Sequence, residues 1–162
     1  MPLHNPIPYL LAAGEGDHIR GPAGGPAVFK ARGKDTGGSF TALENEIAPL
    51  QGPPLHRHPG EDEMYYVLDG LLRFVAGERE FEAATGGFVF IPRGTPHCFQ
   101  NVGAAPARLL VMFTPSGMER FFEAQATLPP GPIDQAAFHE IAALAAMEVL
   151  GPPLQLGSVA RD

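Results

Sequence analysis

The stretch "PPLHRHPGEDEMYYVLDG", residues 53–70, sets two histidines one residue apart ahead of four acidic side chains and a glycine. By itself it reads either as a polar loop rich in His, Asp and Glu or as half of a metal site. On an extended strand, residues i and i+2 face the same side, so His56 and His58 can point at one ion. Pro59-Gly60 then turns the chain, and Glu61, Asp62 and Glu63 lead into a second strand. Imidazole nitrogens with one carboxylate suit a single divalent transition ion: Fe, Mn, Ni, Co, Cu or Zn. Such a site needs a further ligand elsewhere in the chain.

A second stretch, "GGFVFIPRGTPHCFQN" (residues 86–101), supplies it: a strand, a Pro-Arg-Gly turn, then His97 opening the next strand. Between and around these pieces the chain alternates in the manner of strands and is broken often by its 20 glycines and 18 prolines. Strands are expected over 28–32, 39–47, 63–68, 71–76, 79–82, 88–91, 97–102 and 108–114, with turns at 33–38 and 77–78 and a loop at 49–54. The connections leave no room for helical crossovers, which makes the sheets antiparallel and the fold all-β. Residues 1–26 read as an extended arm with room for one strand. Ser116 and Glu119 have capping-box spacing for a helix to about Ala126. Asp134 can cap a second helix to about Leu150, with Phe138, Ile141, Ala142, Ala145 and Val149 on one stripe.

Together the two quoted stretches resemble the cupin superfamily. Its first motif, H-x-H, four residues, Glu, six residues, Gly, falls on His56, His58, Glu63 and Gly70. Its second, Gly, five residues, P-x-G, two residues, His, three residues, Asn, falls on Gly86, Pro92, Gly94, His97 and Asn101. The one departure is Leu50 where the first motif opens with glycine, a loop position. The whole chain is more loosely similar to small single-domain cupins (monocupins) of the quercetin dioxygenase-like and polyketide-cyclase-like kind. The resemblance implies a jelly-roll barrel (27–115) between the arm (1–26) and a helical C-terminal extension (116–162). It also implies one divalent metal held by His56, His58, Glu63 and His97, with Glu63 able to act as a base when off the metal. Glu61 is the substitute ligand by strand parity, while Asp62 faces the other way.

Parity also turns Tyr65 and Phe99 toward the cavity, as substrate contacts or as plain barrel core, and turns Cys98 away. Arg93, Gln100 and Asn101 are further candidates near the metal. His4 and His18 in the arm and His139 on the second helix have no spaced partner and read as solvated. Three functions remain open: a metal-dependent dioxygenase for a small aromatic or enolic molecule, a non-oxidative isomerase or cyclase-like enzyme, or a metal-containing binding module.

The 162 residues suffice for one core, and 44% of them are hydrophobic. A formal charge of −7 disfavours nucleic acid and anionic membrane as partners. No apolar run reaches membrane-span length, and the piece Ile7–Ala13 contains Pro8 and lacks a preceding basic run, so no secretory signal is expected. Cys98 is the sole cysteine, which rules out an intrachain disulfide and makes a cytoplasmic setting the expectation. The arm and the apolar helix after Asp134 are surplus to a barrel, and a homodimer that pairs them about a two-fold axis is expected.

Overall fold

Strand propensity and turn chemistry resolve into two antiparallel sheets in the computed structural model, which describes residues 5–155. In chain order the elements are β1 (Asp17–Arg20), β2 (Gly24–Ala31), α1 (Gly33–Thr36), β3 (Thr41–Ile47), β4 (Pro54–Arg57), β5 (Asp62–Asp69) and β6 (Leu71–Ala76). They continue as β7 (Arg79–Ala84), β8 (Phe88–Ile91), β9 (His97–Asn101), β10 (Ala107–Thr114), α2 (Glu119–Ala126), α3 (Gln135–Leu144) and β11 (Glu148–Pro153). One sheet runs β1-β2-β3-β10-β5-β8 and the other β11-β4-β9-β6-β7. From β4 onward the chain passes repeatedly from one sheet to the other. The result is the jelly roll, or double-stranded β-helix, that the motifs imply.

The core lies between the sheets and follows the period-2 pattern of each strand. Leu43 and Ile47 of β3, Leu109, Val111 and Phe113 of β10, and Tyr65 and Val67 of β5 face Leu72 and Phe74 of β6 and Phe99 of β9. Tyr65, Phe74 and Phe99 meet with ring centroids 5.2–5.5 Å apart. Helix α2 closes one end of the barrel by setting Phe122 against Phe29 and Phe113. Helix α3 packs on α2 through Phe138 and Phe121. Gly70 turns the β5–β6 corner at φ 106°, where an added Cβ would lie 2.7 Å from the Ala107 side chain, so glycine is required there.

Several local expectations differ from the structure, each for a physical reason. The sheet begins at Asp17: β1 is the one strand the arm had room for, and it pairs with β2, which starts at Gly24, four residues before the strand expected from Val28. A register shift between Gly24 and Ala27 lets Pro26, which has no N–H to donate, sit in β2. The turn at Gly33 contains the single helical turn α1, and the 49–54 loop gives way to β4 at Pro54. The Ser116–Glu119 capping box does not form, since the N-cap is Met118. The Glu119 carboxylate instead accepts from the amides of Gly33 (2.9 Å) and Gly117 (2.8 Å) and from the Thr41 hydroxyl.

Asp134 does cap α3, accepting from the Ala137 amide at 3.3 Å. That helix stops at Leu144, just before Ala146 adopts φ 53°. Val149, expected on the helical stripe, belongs to β11, which pairs with β4. The C-terminal extension is therefore two helices and a strand.

Candidate metal centre

His56 lies on β4, His58 immediately after it, Glu63 near the start of β5 and His97 at the start of β9. All four are buried, and one potential ligand atom from each falls within 4.8 Å of the others. The local backbone accounts for the convergence. β4 and β9 pair directly at His56 and His97. The Gly94 amide donates to the His58 carbonyl at 2.8 Å, tying the Pro92–Thr95 turn to the other histidine strand. Gly94 itself sits at φ 79°, a conformation that favours glycine.

Hydrogen bonds orient two of the rings. A carbonyl can only accept, so His56 Nδ1–H donates to Pro54 O (2.7 Å) and His97 Nδ1–H donates to Thr95 O (2.9 Å). Both bonds direct Nε2 toward the cluster, the arrangement that metal-ligating histidines use. His58 has neither ring nitrogen in a hydrogen bond although both are buried. Its Nε2 is 3.0 Å from Glu63 Oε2, close enough for charge attraction but outside hydrogen-bonding geometry. Buried polar atoms without partners are uncommon, and a ligated cation would satisfy this one.

The electrostatics follow from burial and crowding. Burial pushes the Glu63 carboxyl up, but the His58 and His97 imidazoles outweigh it and hold the group below the usual carboxylate range. Burial, reinforced by the other two imidazoles, pushes His56 down to about 3. Burial also lowers His97, yet its 2.7 Å contact with Glu63 Oε2 reverses the sign and raises it. Three nitrogens and one carboxylate, with two rings already aimed and one unsatisfied, fit a divalent transition ion. The cluster could hold one.

A cavity of about 90 Å³ lies against the cluster. His56, His58 and Glu63 line it together with Tyr65 and Phe99, the two inward residues expected from parity. Tyr65 does more than line the wall. Burial, followed by the charge of the neighbouring Glu63, raises the ionisation of its hydroxyl well above the usual value. A neutral Tyr65 can only donate to that carboxylate.

Much of the remaining wall comes from the C-terminal extension, through Met118, Phe121, Phe122, Phe138 and Met147. Sequence reasoning did not assign these residues to the cavity, because no local pattern tells a helix which barrel end to cover. It also passed over Asn45, which lines the cavity, is 6% exposed and has an amide oxygen without a hydrogen-bond partner. A signal for Asn45 was present: it interrupts the inward row Leu43, Asn45, Ile47 on β3.

Other candidates fall outside the cluster. Asp62 points outward as expected and holds Arg93 through a two-pronged ion pair at 3.1 Å. Gln100 donates to Leu50 O, and Asn101 donates to Ile47 O and Ala105 O while accepting from Gly103. These two amides hold the backbone of neighbouring segments and lie outside the four-residue cluster. Glu61 stays out of the four-residue group, with one carboxylate oxygen buried and lacking a hydrogen-bond partner. Cys98 is buried, beside the backbone of Leu154 in the C-terminal segment. His18 and His139 are exposed, and His4 lies outside the described residues.

Comparison with known proteins agrees with this architecture. Residues 44–113 match the cupin domain family. They form a cupin domain. The chain is 35% identical over 100 residues to quercetin 2,3-dioxygenase of Bacillus subtilis, a match covering 58% of this chain and 28% of that protein. It is 30% identical over 70 residues to the tetracenomycin polyketide synthase protein TcmJ of Streptomyces glaucescens, covering 43% of this chain and 47% of that protein. Among solved structures, a predicted oxalate decarboxylase of Thermotoga maritima aligns with a TM-score of 0.57 at 18% identity, over 66% of this chain and 98% of the other. That likeness concerns the fold alone. The curated relatives are matched over only 28% to 56% of their length. The cupin domain contains both histidine motifs, and the cavity wall formed by α2, α3 and Met147 lies beyond its C-terminal boundary.

Proposed function

We propose that this protein is a metal-dependent oxygenase of the dioxygenase type, acting on a small aromatic or enolic molecule. The observation that carries the reading is an apolar cavity, walled in part by Tyr65 and five phenylalanines, set directly against a buried three-histidine, one-carboxylate cluster. The similarity to quercetin 2,3-dioxygenase supports the same class of chemistry. His56, His58, Glu63 and His97 would hold the ion. When bound, a divalent transition ion there supplies Lewis acidity toward a substrate oxygen and, for a redox-active metal, reactivity with dioxygen.

The chain's own residues do the rest. Phe99, Phe121 and Phe122 exclude water and offer flat apolar contact. Glu63, when off the metal and away from the imidazoles that lower its affinity for a proton, would receive a substrate hydroxyl proton. Asn45 offers a polar group in an otherwise apolar wall and orients a substrate carrying a second polar function. The cavity, at about 90 Å³, is smaller than the roughly 150 Å³ cavity known to accept benzene. A small enol, or a single ring only partly enclosed by the cavity, is therefore favoured over a multi-ring substrate. A cytoplasmic setting fits the single, buried cysteine, and no helix among the described residues is long and apolar enough to cross a membrane.

The test is metal analysis of protein purified without chelators, followed by oxygen-electrode assays of the Fe, Mn, Ni and Co forms against catechols, enediols and flavonols. Oxygen uptake with a single-ring or enediol substrate is the expected result. Full metal occupancy with no oxygen uptake, but with conversion of substrate, would replace this reading by a non-oxidative isomerase or cyclase-like one.

A further inference from the structure

Helix α3 ends on a corner of a kind that glycine usually occupies. The Ala146 amide donates to Ala143 O at 3.1 Å and the Met147 amide to Ala142 O at 3.0 Å, with Ala146 between them at φ 53°. This is a Schellman turn with alanine in its left-handed position. A side chain is disfavoured there and persists only where the surroundings hold the backbone in place. They do so on both sides. Ile141, Ala142 and Ala145 are buried before the corner, and β11 is hydrogen-bonded to β4 after it.

Corner and ladder together aim Met147. In the β4–β11 register Glu148 faces Arg57 and Val149 faces His56. Residues directly opposite each other on an antiparallel pair share a face. Glu148 and Arg57 share the outer face, where their ion pair spans 2.5 Å, while Val149 packs on the core. Continued by one residue, the same register sets Met147 across from His58 on the inner face. Burial agrees with that placement: Met147 is 7% exposed and lines the cavity together with His58. Met147 also lies beyond the matched cupin domain, residues 44–113, so the framework that carries the two histidine motifs does not itself supply this wall.

We infer that Met147 is a specificity-determining residue: its side chain ends the space open to a substrate on the β11 side of the cluster, and so selects a small enol or single ring against two fused rings. The inference rests on the small aromatic or enolic substrate proposed above. The cavity holds about 90 Å³, short of the roughly 150 Å³ that encloses benzene, so each wall atom bears on what fits. Phe121, Phe122 and Phe138 of the same wall are engaged ring to ring. Met147 is an unbranched thioether, the adaptable member of that wall. Trimming it to alanine removes Cγ, Sδ and Cε and opens the β11 side.

Binding is measured under nitrogen, by calorimetry on the metal-loaded full chain, with catechol and a naphthalenediol carrying adjacent hydroxyls as probes. Wild type should bind catechol tighter by about tenfold or more. Met147→Ala should make the two affinities equal, and Met147→Leu, of similar volume, should keep the wild-type ratio. Val149→Ala, on the same strand but outside the cavity wall, should lower the melting temperature and leave the ratio alone. An unchanged ratio in a folded, metal-loaded Met147→Ala protein would make Met147 a plain core residue and overturn the inference. A wild type that binds both probes equally, or neither, overturns it too. Should Met147→Ala not fold, Met147→Val must move the ratio in the same direction, and the inference falls if it does not. Oxygen is absent throughout, so a protein that never consumes oxygen would remove the oxygenase reading and leave the selection by Met147 standing.

Discussion

Glu63 Oε2 lies 2.7 Å from His97 Nε2 although the residues are 34 positions apart and belong to different sheets. The contact joins the six-stranded sheet to the five-stranded one at the cavity end of the barrel, where both side chains are buried. An ion held by both would link the same two sheets through shorter, directional bonds.

His97→Ala should therefore abolish stoichiometric metal while leaving the barrel folded. Removing one of four ligands is expected to weaken binding by well over the 10–100-fold seen when only a supporting hydrogen bond is lost. Elemental analysis beside far-ultraviolet circular dichroism checks this. Unchanged metal content in a folded variant would show that His97 is not a ligand.

Chelation of the wild type should lower its melting temperature. A ligand bound only by the native state at 100 times its Kd contributes about 2.7 kcal/mol, and each kcal/mol corresponds to roughly 2–4 °C for a chain of this size. Calorimetry before and after treatment with a chelator should show a fall on the order of 5–10 °C, reversed by adding the metal back.

Asn45→Leu should leave metal content unchanged and stability the same or higher, because it replaces a buried amide whose oxygen has no partner. It should raise KM for the hydroxylated substrate found in the oxygen-uptake panel by about tenfold or more, as expected when a hydrogen-bonding subsite is lost. A clear drop in melting temperature with KM unaltered would make Asn45 a structural residue of β3.

Glu119→Gln tests the carboxylate that joins α2 to the β2–β3 connection. Burial pushes Glu119 up, but the hydroxyl of Thr41 and the amides of Gly33 and Gly117 outweigh it, so its ionisation lies below the ordinary 4.5. A lowered folded value means that its stabilisation is complete above pH 4.5 and is lost as the pH falls through that lower value. The variant should lose about 1–3 kcal/mol near pH 7, and the gap from wild type should close toward pH 3. Urea denaturation at pH 7, 4.5 and 3 measures both effects, and a constant gap across the series would contradict this account.

The four-residue cluster was the most legible part of the sequence. His56, His58, Glu63 and His97 could be picked out because the spacings of the two motifs resemble those of the cupin superfamily; strand parity by itself accounts only for His56 and His58 sharing a face. The strands from β5 to β10 were legible because alternation with period 2 is local. The N-terminal hairpin was hidden by Gly24, Gly25 and Pro26, which signal a turn until a register shift against β3 accommodates them. Val149 matched a helical stripe only because apolar spacing cannot register where backbone geometry breaks, and here it breaks at Ala146.

The sequence by itself determined the antiparallel all-β class, because hydrophobic alternation and turn chemistry act over a few residues; the jelly roll and the four residues that meet were legible through the motifs' resemblance to the cupin superfamily. Only the tertiary structure decided what surrounds them. It set α2, α3 and Met147 over the barrel end, turned Tyr65 onto Glu63, left Asn45 facing an apolar wall, and left Tyr66, Phe88 and Phe90 bare on the outer face. Those outcomes depend on which distant surfaces bury one another. That choice is made by the whole chain minimising exposed apolar area, and no short stretch encodes it.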